Sequence, residues 1–412
     1  GLIAPPLVPP PPTAGAVMIE GLPAAFVTCT VTCSGATSAG APAHPPPGAG
    51  APPAAILIGS TSVRIFNRPA ARWAPSGDSA ACLAQLGDQK MVPLRTVFIG
   101  GPVTPGLPKA IRYGQRKHSV ELAKWKADQL PDGDEKEELT AAAERFERNI
   151  KAAEMAKLSQ NVYNPDQGPP EGWKNVSDDS KALEKIGLTE RDLSQPGSDY
   201  RAQVYQPDPA VFGPDMKTTV AFKGTTTGED WGQNFKQGVN AESTYYRNAT
   251  QVGTRLDKAD AEVEITGHSL GGGMASAASR ASGRDAWTFN SAGLHDKTVE
   301  RYGGTVHEPA VENITAYRVE NEALTGLQEQ GLKGTATAAG LGFRMGGPWG
   351  AVIGAALKIG LSAAMPNALG SKYELPGSWD PAQRHFMSQV IAGIEAQKEE
   401  DQKAISEGLE GD

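Results

Sequence analysis

Past residue 200, short apolar runs alternate with longer segments whose apolar residues recur at helical spacing. Thr218-Thr-Val-Ala-Phe, Val263-Glu-Ile-Thr, Ala286-Trp-Thr-Phe-Asn and Ile314-Thr-Ala-Tyr-Arg-Val each have strand length and strand composition. Strands separated by helical segments predict a mostly parallel sheet covered by helices. Upstream the pattern changes twice. Residues 1 to about 104 carry only short alternating runs, Ala55-Ile-Leu-Ile, Ser62-Val-Arg-Ile-Phe and Thr96-Val-Phe-Ile, set among Pro, Gly and Ala. They read as short strands between turns. From Lys109 a basic stretch (Arg112, Arg116, Lys117, Lys124, Lys126) precedes the acidic run 132–138, and Leu139 to Leu158 reads as an alanine-rich helix. Residues 105–150 are therefore expected to form a solvated helical connector. The charged segment from Glu395 is expected to be a solvated terminal helix or acidic tail, and no solenoid repeat is visible.

A chain of 412 residues exceeds one ordinary core, so at least two domains are expected. Lys and Arg number 39 against 47 Asp and Glu, a formal charge of -8 that disfavours nucleic-acid partners. The three cysteines, Cys29, Cys33 and Cys82, all fall in the first hundred residues, so no disulfide framework is expected in the larger C-terminal part. The opening residues lack a basic segment, and their prolines interrupt any apolar helix, which is not the pattern of a Sec signal. Gly346 to Met365 is weakly polar but Gly/Ala-rich and carries Lys358. Buried helices or a mobile lid are expected there, ahead of a membrane-surface element and of a membrane span.

The chemistry concentrates at Gly267-His268-Ser269-Leu270-Gly271. A strand runs into this motif and a small-residue helix leaves it, which is the context of a nucleophile elbow. A serine hydroxyl needs a histidine to take its proton, and the histidine needs a carboxylate to hold its tautomer. In an α/β-hydrolase the acid and then the base follow the serine along the chain. His44 and His118 are excluded by that order, leaving His295, His307 and His385. Only His385 follows the segment best placed for the acid. Glu320 and Glu322 lie beyond the second strand after the elbow, with Asp296 beyond the first; strand geometry would point both glutamates the same way. His268 is expected to pack against the site or support it. One oxyanion donor is expected from the backbone N–H of Leu270 and the second from the loop after Phe222, at Thr225.

Val220-Ala-Phe-Lys-Gly-Thr, with Asp230-Trp231 and Asn234 and then Ile265-Thr-Gly-His-Ser-Leu-Gly-Gly-Gly, resembles the class 3 lipase family. The resemblance covers about residues 150 to 394. It implies an α/β-hydrolase domain at 151–394 that cleaves acylglycerol or phospholipid esters without a catalytic metal. It also favours Glu322 as the acid, because Glu320-Asn321-Glu322 occupies the place of the family's Asn-linked aspartate, although a glutamate stands there.

Asn67-Arg-Pro-Ala-Ala-Arg-Trp, Gly77-Asp78, Cys82 and Val97-Phe-Ile-Gly-Gly resemble the PAAR family, with Leu22-Pro-Ala-Ala-Phe as a degenerate first copy. The resemblance implies a small β-rich cone at 1–104 that caps the trimeric spike of the type VI secretion apparatus. It also implies a structural zinc, for which Cys29, Cys33, His44 and Cys82 are the soft donors. Together the two resemblances imply an antibacterial lipase effector made in the bacterial cytoplasm and carried by its own N-terminal domain to the target cell's periplasm or membrane. A membrane phospholipid substrate and a cognate immunity protein would be its further partners. A spike tip with an inert hydrolase domain, and a serine thioesterase or peptidase on the same fold, are the alternatives.

Overall fold

The computed structural model describes short strand segments within the first 106 residues, and then residues 107–224, 238–295, 297–308, 311–322, 325, 367–377 and 383–410. The chain divides into two compact units, one of Gly1–Ile150, Pro209–Gly213 and Lys398–Asp412, the other of Lys151–Asp208 and Pro214–Gln397.

In the first unit, Leu2–Ala4, Thr30–Thr32 and Ala54–Ala55 pair antiparallel in one small sheet. Met18–Ile19 with Leu22–Pro23, and Arg64–Ile65 with Arg68–Pro69, pair as two-residue ribbons. The Thr96 run lies outside the described residues. The expected connector consists of helix α1 (Leu107–Gln129) and most of helix α2 (Asp134–Asn161). On α2, Leu139, Ala142, Ala143, Phe146 and Ile150 recur at helical spacing and bury one face against Val120, Ala123 and Ala127 of α1. This helix pair is not a solvated one, because Ile405, from the segment expected to be an acidic tail, completes its core. That segment is the end of a long helix (Met387–Glu410), and Asp401 within it is fully buried. Arg145 Nη2 meets Asp401 Oδ1 at 2.6 Å; burial pushes the carboxyl upward in pKa and the guanidinium opposes that shift. Charge pattern alone hides such a face, since its acidic residues surround a narrow apolar stripe.

The second unit is built on a sheet whose described strands are β1 (Trp173–Asn175), β2 (Ala202–Pro207), β3 (Thr218–Phe222), β4 (Val263–His268), β5 (Ala286–Phe289), β6 (Ile314–Val319) and β7 (Ser371–Leu375). They lie side by side in chain order. Strands β3 to β7 are parallel, while β1 and β2 extend the β3 edge antiparallel. Every residue of β4 and β5 is buried, as expected of parallel strands covered on both faces. The exception in character is Glu264 on β4, which is buried but ion-paired at 2.5 Å with Lys151.

Helix α3 (Gly238–Lys258) packs on helix α4 (Leu270–Ser282), which follows the elbow. The two backbones meet closely at Gly253, where an added Cβ would lie 2.9 Å from Ala278 Cα. Small residues along α4 thus allow it to sink against β4 and β5. That places its first turn directly beneath the parallel strands' carboxyl ends, where sites in such sheets are built.

Candidate active site

Strand β4 ends at His268 and α4 begins at Leu270, so Ser269 alone makes the turn between them. Its backbone sits at φ 57°, ψ -125°, a conformation that costs a residue with a side chain about 1–3 kcal/mol. Four hydrogen bonds hold it there. Ser269 N donates to Phe289 O (3.1 Å), and Ser269 O accepts from the amides of Gly272 (3.0 Å), Gly273 (3.3 Å) and Ala292 (2.9 Å). The motif's two outer glycines have a steric cause. A Cβ on Gly267 would strike the Gly271 carbonyl, and one on Gly271 would strike Phe222 O at the end of β3. Leu270, at the first helical position, has an N–H without an intrahelical acceptor.

The acid and base segments come from the two strands beyond β5. After β6 the chain does not continue as a strand: Asn321 takes φ 54° and Glu322 N folds back to Val319 O (3.2 Å). This turn separates the two glutamates that extended geometry would have kept on one side. Glu320 is exposed, whereas Glu322 is only 1% exposed. Glu322 Oε1 accepts from His385 Nδ1 at 2.6 Å, and Oε2 accepts from Thr325 N (2.9 Å) and Oγ1 (3.1 Å). A carboxylate only accepts, so the His385 proton is on Nδ1 and the lone pair is on the buried Nε2. His385 ends a short 3-10 turn (Gln383–His385) just before the long C-terminal helix.

His268, one residue before the serine, packs against the His385 ring, with ring centroids 4.8 Å apart. Its Nε2 donates to His385 O at 2.7 Å. Its Nδ1 must then accept, and Tyr163 Oη lies 3.0 Å from it. Burial first, and the neighbouring His385 ring second, push the His268 pKa down to about 3, so it is neutral at working pH. The unfolded chain, with its imidazole near 6.5, takes up a proton that the folded chain refuses. Stability should therefore fall as pH drops from about 6.5 towards 3, by about 1.4 kcal/mol per pH unit from this residue. Urea unfolding followed by tryptophan fluorescence between pH 4 and 7 checks this, with a shallower slope expected for His268→Gln.

Among the other candidates, His295 is exposed and His307 meets Asp257 at 3.2 Å, so neither lies with the Glu322–His385 pair. His118 lies on α1, 3.6 Å from Glu121. Thr225, Asp296, Asp230, Trp231, Asn234, the 332–366 stretch, and Cys29, Cys33, His44 and Cys82 lie outside the described residues. The start of the segment expected to carry the second oxyanion donor is described: an added Cβ on Gly271 would sit 2.9 Å from Gly224 N, so that segment leaves β3 beside the elbow. Among the described residues no group of three or more His, Cys, Asp or Glu could hold a metal, and no helix is long and apolar enough to cross a membrane.

Two site residues escaped the sequence. Asn290, at the end of β5 with φ 41°, donates through Nδ2 to Arg384 O (2.9 Å) and His385 O (3.2 Å) and accepts from Val319 N (2.9 Å). An asparagine closing an apolar strand was the available signal, since asparagine tolerates a left-handed turn. Tyr163 had none, because its partner is 105 positions away.

Over 181 residues the chain is 32% identical to a protein named extracellular phospholipase A1 from Serratia liquefaciens, covering 42% of this chain and 54% of that protein. The chain thus spans about half the length of the curated relative it matches. A family match runs over residues 154–380, from within α2 through the elbow and Glu322, and stops shortly before His385. It takes in more than half of the sequence, and the chain belongs to the family of Tle-like phospholipase domains.

Proposed function

We propose that this chain is a phospholipase of the A type, hydrolysing carboxylic esters of membrane lipids with Ser269 as nucleophile, His385 as general base and acid, and Glu322 as the carboxylate that orients it. The observation that carries this reading is the buried 2.6 Å hydrogen bond from His385 Nδ1 to Glu322, beside a strained serine elbow. Ser269 Oγ attacks the ester carbonyl as its proton passes to His385 Nε2. The carbonyl oxygen becomes an oxyanion facing the Leu270 N–H and, in this proposal, a donor at Thr225. Collapse of that intermediate breaks the ester C–O bond, and Nε2 returns the proton to the departing alcohol oxygen of the lysolipid. Water then attacks the acyl-serine by the same path, freeing a fatty acid and restoring Ser269.

Delivery belongs to the same proposal. Residues 1–104 would form the PAAR-like spike tip and 105–150 a connector, with the hydrolase at 151–394 and the acidic end at 395–412. The PAAR-like motifs at 67–73, 77–78 and 97–101 support this reading, as does the phospholipase-like family of the remainder. Three thiols and an imidazole suit a tetrahedral structural zinc in that domain, with Cys29, Cys33, His44 and Cys82 as ligands. The partners would be a trimeric spike protein and a cognate immunity protein, and the target cell's periplasm or membrane would be the site of action.

The test is incubation of the purified chain with vesicles of phosphatidylethanolamine and phosphatidylglycerol labelled separately at each acyl position. Release of labelled fatty acid and lysolipid is expected from wild type only, with Ser269→Ala inactive. Cleavage of thioester or peptide substrates without lipid products would favour the other serine hydrolase chemistry. Spike loading without any hydrolysis would favour an inert tip.

A further inference from the structure

The backbone carbonyl of His385 is held by two side chains at once, His268 Nε2 at 2.7 Å and Asn290 Nδ2 at 3.2 Å. All three residues are buried. Asn290 also takes the preceding carbonyl, Arg384 O, at 2.9 Å and ties itself to β6 through Val319 N. From the other side Arg384 Nη1 donates to Glu320 O (2.9 Å), two residues before Glu322. Every one of these bonds fixes the backbone that carries the base, and none touches its imidazole. His268 is moreover the residue bonded directly to Ser269, so one covalent step and one hydrogen bond connect the nucleophile's backbone to the base's backbone.

We infer that His268 and Asn290 are positioning residues that clamp the His385 carbonyl and thereby set the distance between the base and Ser269, with the Tyr163 hydroxyl holding His268 in the tautomer that donates. This rests on the proposed role of His385. The carbonyl can only accept, so the clamp works only while His268 keeps its proton on Nε2. The Tyr163 hydroxyl donates to the Nδ1 lone pair that this tautomer leaves, and the depressed pKa keeps the ring from charging beside His385. A base free to shift by about 1 Å loses on the order of 10²-fold in rate, because proton transfer needs near-attack geometry.

The experiment is steady-state hydrolysis of a soluble short-chain ester, together with the rate at which a fluorophosphonate labels Ser269, in the 412-residue chain. His268→Leu should lower kcat and the labelling rate by about 10²-fold with KM within about threefold. His268→Gln, whose amide can place a donor where Nε2 stood, should recover to within about fivefold of wild type. Asn290→Gly keeps the left-handed turn and removes only the amide, and should cost about tenfold in kcat. Wild-type kcat in His268→Leu overturns the inference, and so does a His268→Gln variant as slow as His268→Leu, which would mark a packing role. If His268→Leu does not fold, Asn290→Gly decides alone, with wild-type kcat overturning the clamp. His385→Ala separates the two readings: full activity there removes the proposed triad, while an inactive His385→Ala beside an unaffected His268→Leu removes only the clamp.

Discussion

Ser269→Ala should lower kcat for ester hydrolysis by about 10⁶-fold, since loss of the proposed nucleophile would disable the proposed triad as a unit and leave only binding and the oxyanion donors. The hydrogen bonds that shape the turn at residue 269 run through its amide and carbonyl. Alanine therefore keeps the elbow, and the melting temperature should stay within a few degrees of wild type. The residual rate is informative as well. A remainder of about 10³-fold over the uncatalysed reaction is expected from the oxyanion donors and from substrate positioning. A Ser269→Ala protein that hydrolyses esters at even a tenth of the wild-type rate would place the nucleophile elsewhere.

The second large effect is expected at Glu322. Replacing it by alanine or glutamine should lower kcat by about 10⁴-fold, because His385 then loses the acceptor that keeps its proton on Nδ1. Glu320→Ala should stay within about twofold of wild type, since that side chain is exposed and the hydrogen bonds to Leu375 O and from Arg384 Nη1 run through its backbone. The contrast between the neighbours is the measurement, made on one substrate at one pH. A Glu320→Ala variant as slow as Glu322→Ala would show that the turn at Asn321 does not part the carboxylates in solution.

The strands that carry the chemistry were the ones legible from sequence. Thr218–Phe222, Val263–His268, Ala286–Phe289 and Ile314–Val319 combine apolar residues with threonine and are mostly buried, with Glu264 and Arg318 as the charged residues among them. The strands at the edges were not. Ser371–Leu375 is mostly exposed and carries lysine and glutamate, and Trp173–Asn175 has three residues, so neither shows an apolar pattern. At the site, the elbow could be read because glycine, serine and glycine answer to close backbone approach at a fixed spacing. The relation of Glu320 to Glu322 could not, because it turns on one left-handed asparagine between them. The contacts of Tyr163 and Asn290 span long stretches of chain, and the local sequence offers only the asparagine at the end of β5 as a sign of them. The same holds for Ile405, whose apolar partners lie on helices far earlier in the sequence.

Strands β6 and β7 are parallel neighbours, yet about 50 residues separate Val319 from Ser371, and a connection of that kind can lengthen cheaply because each doubling adds only about 0.6 kcal/mol of closure entropy. A parallel pair needs a long crossover in any case. Insertions and deletions in this connection can therefore be absorbed while β6 and β7 stay in register and Glu322 and His385 stay in reach of each other.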